Sequence, residues 1–235
     1  MTAKEIIEDL QAKGSPAVKK VFLNHGAPEP IFGVKVGDMK PLVKKIKQDY
    51  ELSLELYNSG ISDAMYLAGL ISHPEKMTKN DLQHWAEKAT WHMISEYAVA
   101  WTAAESRFAL EMARKWISSD HEMIECAGWN TFSSYIGITP NDQIDQKEIK
   151  LLITQIANSI HKAKNRVRYT MNNFVISAGG YIPELRDQAI KAARQIGKIS
   201  VDLGGTACKV PDAESYIARM AEHKSENKKK KTAKC

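Results

Sequence analysis

Apolar residues recur along this chain at spacings of three and four. The sets include Ile6, Ile7 and Leu10; Leu42, Val43 and Ile46; Leu67, Leu70 and Ile71; Leu82, Trp85, Ala86 and Ala89; Met123, Ile124 and Ala127; Met171, Phe174, Val175 and Ala178; and Ala189, Ile190, Ala193 and Ile196. That period places one apolar stripe along a helix. It predicts helices over 2–13, 16–25, 38–48, 51–59, 62–72, 79–89, 91–104, 106–118, 120–136, 145–160, 163–179, 184–196 and 212–222. Thr2 with Glu5 and Ser119 with Glu122 have capping-box spacing. Ser15-Pro16 and Ile182-Pro183 place a proline near a first turn. Alternating patterns are nearly absent, and only Phe32 to Val36 and Ile199 to Leu203 read as short extended pieces.

Short helices in consecutive pairs predict an all-α chain, either a bundle or an α-solenoid. A weak internal echo favours the solenoid. Tyr57-Asn-Ser followed by Leu67-Ala-Gly is matched by Trp116-Ile-Ser followed by Cys126-Ala-Gly. Ala-Gly on a helix face permits the close helix contacts that stacked repeats require. Trp85, Trp116 and Trp129 fall at apolar positions and are expected in the core.

Composition narrows the class. The 235 residues are 43% hydrophobic and 26% charged, as in a globular protein. No run of apolar residues is long enough to span a membrane, and the first residues lack the apolar stretch of a signal peptide. Cys126, Cys208 and Cys235 lie far apart with no CxxC pair, so a reducing, cytoplasmic setting is expected. His84, His92 and His121 have no metal-ligand spacing, and neither metal nor cofactor is expected.

Charge has a location. The formal net charge is +5. Residues 224–235 hold six lysines and one glutamate, leaving 27 basic and 27 acidic residues in the rest. The chain therefore divides into a helical domain, 1–222, and a basic tail, 223–235, with nothing apolar enough to bury and an expectation of disorder. A lysine tail either attracts phosphate backbones without reading sequence or merely solubilises the chain.

The segment Ile31-Phe-Gly-Val-Lys-Val-Gly-Asp-Met-Lys-Pro-Leu-Val-Lys-Lys-Ile46 resembles the entry segment of the AlkD-like DNA alkylation repair family. Leu56-Tyr-Asn-Ser-Gly60 with Asp63-Ala-Met-Tyr-Leu-Ala68 resembles that family's next helix pair. The resemblance runs from about residue 5 to 200. It implies a right-handed α-solenoid of HEAT-like helix pairs with a concave DNA-binding face. It also implies a DNA glycosylase that excises N-alkylated purines without metal. Active members use a tryptophan, an aspartate four residues on, an arginine from the following repeat and a second tryptophan. Here those positions fall on Trp91, Ser95, Cys126 and Asn172 or Asn173, so one of four is kept. A serine hydroxyl cannot supply the charge by which a carboxylate stabilises a developing sugar cation.

Other residues offer substitutes. Glu96 adjoins Ser95, about 100° further round a helix. Trp101 and Glu105, four apart, form either an aromatic-carboxylate site for a cationic base or a core residue beside a cap. Arg168 and Asn172 project together. Lys162, Lys164, Arg166 and Arg168 make the first half of their helix basic, and Asn172 and Asn173 follow in succession. The basic residues read as a phosphate track or a solvated cationic face, the asparagines as contacts to phosphate or base edges or as an internal hydrogen bond. Lys40, Lys44 and Lys47, spaced at four and three, form a second basic face. The loop Val201–Pro211 carries Gly204-Gly205, Thr206, Cys208 and Lys209; it either holds a phosphate or closes onto the last repeat.

These readings give three functional expectations. One is a divergent glycosylase using Trp91 with Glu96 or Glu105 as carboxylate. Another is a non-catalytic module that binds nucleic-acid structure by shape and charge. The third is a protein-interaction scaffold. In the first two the partner is DNA, bound through its phosphates by a monomer.

Overall fold

The computed structural model describes residues 1–222 and 228–234. Thirteen α-helices follow one another among these residues: α1 (Ala3–Lys13), α2 (Pro16–Asn24), α3 (Val36–Ile46), α4 (Tyr50–Asn58), α5 (Ser62–Ile71), α6 (Lys79–Lys88), α7 (Ala100–Ala104), α8 (Ala109–Ile117), α9 (Glu122–Ile138), α10 (Gln146–Ser159), α11 (Asn165–Tyr181), α12 (Arg186–Ile196) and α13 (Ala213–Glu222). A π-helical turn, Ile94–Val99, leads into α7.

The helices pair as the periodicity predicts. α4 packs on α5, α8 on α9, and α12 on α11 and α13. The second members form one layer, in which α5, the π turn with α7, α9, α11 and α13 each pack on the next. We call this the inner layer. Two apolar clusters support it. One gathers Ile6, Leu10, Leu67, Trp85 and Trp101; the other gathers Trp129, Phe132, Phe174 and Ile217; the two meet along α8 and α9. Trp85, Trp116 and Trp129 are all fully buried, as expected of core residues. Trp85 stacks on Tyr57 with ring centres 4.1 Å apart, and the Tyr57 hydroxyl donates to the Trp85 carbonyl at 2.6 Å.

The Ala-Gly echo has a packing cause. A Cβ on Gly69 would stand 2.6 Å from the Ala98 backbone, and one on Gly128 would stand 2.6 Å from the Ile117 nitrogen. Both glycines let one helix of the stack press directly on the backbone of its neighbour.

The local cap and strand signals hold unevenly in the fold. Thr2 and Glu5 form the expected capping box. Ser119 does not cap α9; its hydroxyl accepts from the His121 amide instead. The extended piece expected over 32–36 ends at Lys35, where Val36 opens α3, and is a loop that pairs with no strand among the described residues. Its amides at Phe32 and Val34 donate to the buried Asp63 carboxylate at 2.6 and 2.8 Å, a side-chain substitute for a β ladder. The single helix expected over 91–104 is interrupted by the π turn.

The expectation of a disordered tail is not met by residues 228–234. They lie along the helical body and are hydrogen-bonded to it. The Lys230 amide donates to the Gly137 carbonyl at 2.8 Å and the Ala233 amide to a Glu105 carboxylate oxygen at 2.7 Å. Composition misled here because lysine ammoniums, backbone amides and the single buried Ala233 make the anchoring contacts in place of an apolar run. Residues 223–227 and Cys235 of that tail lie outside the described residues.

Candidate nucleic-acid interface

The inner layer carries a groove of about 350 Å³ across α7, α9, α11 and α13. Its walls include Glu96, Tyr97, Trp101, Asn130, Ser133, Tyr169, Asn173, Tyr181 and Tyr216, with Lys230 and Ala233 of the tail at one side. Hydroxyls, amides and aromatic faces dominate. Such groups suit phosphate and sugar oxygens and stacked bases.

Each carboxylate expected to do chemistry near this groove is committed to another contact. Glu96 is fully buried, and its carboxylate takes the Arg166 guanidinium bidentately at 2.5 and 2.8 Å. The Arg166 side chain is only 13% exposed, and its guanidinium stacks over the Tyr169 ring at 4.1 Å. Burial lifts the Glu96 carboxyl above its ordinary value, against the pull of Arg166. The two-pronged contact is that of an ionised pair, with both charges neutralised locally. Glu105 accepts from the Thr232 hydroxyl and the Ala233 amide. Glu122 accepts from the Arg166 amide at 2.7 Å, and Glu125 pairs with Lys164 at 2.9 Å.

The residues carried over from the family resemblance are equally occupied. Trp91 is 5% exposed and sits between Phe22, at a ring distance of 5.6 Å, and His92, at 5.0 Å. α2 covers most of the ring. Ser95 is fully buried and donates to the Met123 carbonyl, tying the π turn to α9. Cys126 is buried, and burial, together with the nearby Glu96, pushes its thiol well above the ordinary range. Asn172 is 2% exposed and donates to the Pro211 carbonyl at 2.8 Å. This settles the paired asparagines: Asn172 makes the internal hydrogen bond, while Asn173 faces the groove. Trp101 is buried against Tyr66 and Tyr97 and gives the groove only part of its surface.

Arg168 is not a free cation either. It donates to the Ala163 carbonyl at 2.9 Å and the Ser200 carbonyl at 3.0 Å. With Asn172 and Asn165, which exchanges hydrogen bonds with the Asp202 backbone, it sews the 199–211 loop onto α11. The loop tip reaches further than the last repeat. Gly204 takes a φ of +75°, and a Cβ there would meet the Asn24 carbonyl at 1.9 Å, so the tip presses on the end of α2. Lys40 and Lys44 are exposed on α3, and Lys47, also exposed, follows the helix end with φ +64°. None of the three lines the groove. Among the described residues, His, Cys, Asp and Glu form no group of three that could hold a metal ion, and no helix is long and apolar enough to cross a membrane.

Sequence spacing missed a second cleft of about 260 Å³, lined by Phe22, His25, Trp91, His92, Tyr97, Arg166, Tyr169 and Cys208. Burial, with Arg166 and His25 nearby, pulls His92 down to about 3. An unfolded histidine titrates near 6.5. Between those values the folded chain binds fewer protons than the unfolded one. Stability should therefore fall as pH drops through that window, by up to about 1.4 kcal/mol per pH unit from this group. Urea melts at pH 7, 6 and 5 should show the loss, and His92→Gln should reduce its slope. Equal slopes would remove His92 from the acid response.

The chain resembles known proteins along almost its whole length. A sequence model of the DNA alkylation repair enzyme family matches residues 6–222. An uncharacterised protein of Listeria innocua serovar 6a is 35% identical over 225 residues, 93% of this chain and 97% of the relative. An uncharacterised protein of Listeria monocytogenes serovar 1/2a matches to the same extent. One solved structure is 33% identical, covers all of both chains and superposes with a TM-score of 0.91. It is described as a new family of proteins related to the HEAT-like repeat DNA glycosylases, with affinity for branched DNA structures. The helix pairs are thus a HEAT-like repeat stack, and the chain belongs to the DNA alkylation repair enzyme family.

Proposed function

We propose that this protein binds branched DNA through its inner layer and does not excise alkylated bases. The observation that carries the reading is the groove on α7, α9, α11 and α13. It offers hydroxyl, amide and aromatic groups, while Glu96 and Glu105 are each held by other residues of the chain. Binding needs the first set of groups; cleavage of a glycosidic bond needs a carboxylate free to face the developing cation. The likeness to a structure with affinity for branched DNA supports the same choice. Serine, asparagine and tyrosine donors on a fixed scaffold read backbone shape, not base sequence.

Fluorescence anisotropy on a labelled four-way junction and on a linear duplex of equal length tests the reading. The junction should bind more tightly at every salt concentration. Scrambling its sequence should change nothing. Log affinity should fall linearly with log salt, with a slope of about 0.9 per phosphate neutralised. Equal affinity for junction and duplex would overturn the preference for branches. Failure to bind either would overturn the function.

A further inference from the structure

The tail crosses the C-terminal ends of four consecutive inner helices. From Lys229 to Lys234 it passes α11 and α9, then α7, then α5. The Lys229 ammonium donates to the Tyr181 carbonyl at the end of α11, at 3.3 Å, and to the Ile136 carbonyl in the last turn of α9, at 2.7 Å. The Lys230 amide takes the next α9 carbonyl, Gly137. Thr232 and Ala233 bind Glu105, which caps α7. The Lys234 ammonium reaches the Leu70 and Ser72 carbonyls at the end of α5, each at 3.2 Å. Five residues of extended chain span about 17 Å. Packed helices lie about 8–10 Å apart, so the segment has the length to step from α9 past α7 to α5.

Two of these contacts have a definite cause. Pro74 and Pro140 lack the N–H that would close the helical bonds to Leu70 and Ile136. Those carbonyls are left open at the negative ends of their helices, which attract a cation, although burial pulls Lys229 down to about 8 and also lowers Lys234. Lys229 and Lys234 occupy them. The anchoring ammoniums are thus consumed by the fold. Lys228, Lys230 and Lys231 are not: all three are exposed, and Lys230 lines the inner groove.

We infer that residues 228–234 form a docked rim of the DNA-binding surface, in which Lys229 and Lys234 anchor the strand and Lys228, Lys230 and Lys231 hold the phosphates of a duplex arm. The inference rests on the DNA-binding reading above. It differs from a flexible lysine arm in one measurable respect. A docked rim has met its ordering cost before DNA arrives, so loosening the dock must weaken binding even when every lysine remains.

Glu105→Ala makes that test sign-sensitive. It removes a negative charge near the groove, and a flexible arm on a more positive protein should bind a four-way junction as tightly as before or more so. A docked rim should bind at least about threefold more weakly, because Thr232 and Ala233 lose their acceptor. Thr232→Val supplies a charge-neutral version, should Glu105→Ala melt early. Replacing Lys228, Lys230 and Lys231 together with alanine should lower the salt slope by up to about 2.7. Hydrogen exchange without DNA reads docking directly. The Lys230 and Ala233 amides should be protected in the full chain, and Ala233 should exchange freely in Glu105→Ala.

Unprotected amides in the parent protein would overturn the rim. So would protected amides with unchanged or tighter junction binding in both Glu105→Ala and Thr232→Val. A parent protein with protected amides that binds no junction would leave the dock standing. It would overturn both the DNA reading and the phosphate role of the three lysines.

Discussion

Glu96→Ala should cost the fold about 3–5 kcal/mol, which lowers the melting temperature of a chain this size by about 6–20 °C. The reason is what it leaves behind. Arg166 would keep its guanidinium in a site where the side chain is 13% exposed, with the Tyr169 ring on one face and no counter-ion for its two bonded nitrogens. A buried pair contributes little net stability when intact, because desolvation offsets attraction, but removing one partner exposes the full desolvation cost. The double replacement Glu96→Leu with Arg166→Met should recover most of the loss, since neither charge then needs a partner. Thermal melts of the parent and the two variants decide. A Glu96→Ala protein within about 1 kcal/mol of the parent would mean that the pair is solvated in solution, and Glu96 would again be free to do chemistry.

That pair also marks the limit of what spacing along a chain reveals. Glu96 and Arg166 are 70 residues apart, and Asn172 and Pro211 are 39 apart. The helices themselves were legible because a packed helix must repeat its apolar residues every three or four positions. Gly69 and Gly128 were legible as contact points for a similar reason, since Ala-Gly on an apolar face has few other uses. Polar residues carry no such period. Arg168 and Asn172 project together from α11 as their spacing requires, yet nothing local tells whether a phosphate or the 199–211 loop meets them. The loop does.

The tail failed differently. Its near-lack of apolar residues suggested that no anchor existed, yet Ala233 is buried in the first apolar cluster and Lys229 and Lys234 are bonded to helix ends. A signal was present: Pro74 and Pro140 follow helices by the interval that strands a carbonyl four residues upstream. Open carbonyls at helix ends and a run of lysines are complementary, but only the folded stack shows that the ends of α5, α7, α9 and α11 line up. The π turn at Ile94–Val99 was also invisible, since its apolar residues fit an ordinary helical period.

Release of free base from duplex containing an N-methylated purine should not exceed the uncatalysed background in a single-turnover assay. Losing one preorganised electrostatic stabiliser typically costs about 2.7–4 kcal/mol, or 100- to 1000-fold in rate. Here the whole constellation is spoken for. Ser95 spends its hydroxyl on the Met123 carbonyl, Trp91 lies under α2, Cys126 is a buried thiol, and Asn172 holds the loop. Effects within one constellation do not add simply, but none of these changes restores a charge or a stacking face. Glu105 is the carboxylate whose release costs least, because only the tail holds it. Robust excision by the purified protein would overturn the non-catalytic reading, and two variants would then locate the source. Activity lost in Glu105→Gln but kept in Ser95→Ala would assign the carboxylate to the groove beside Trp101. Activity lost in Glu96→Gln, with the fold intact by thermal melt, would mean that the Arg166 pair opens when DNA binds.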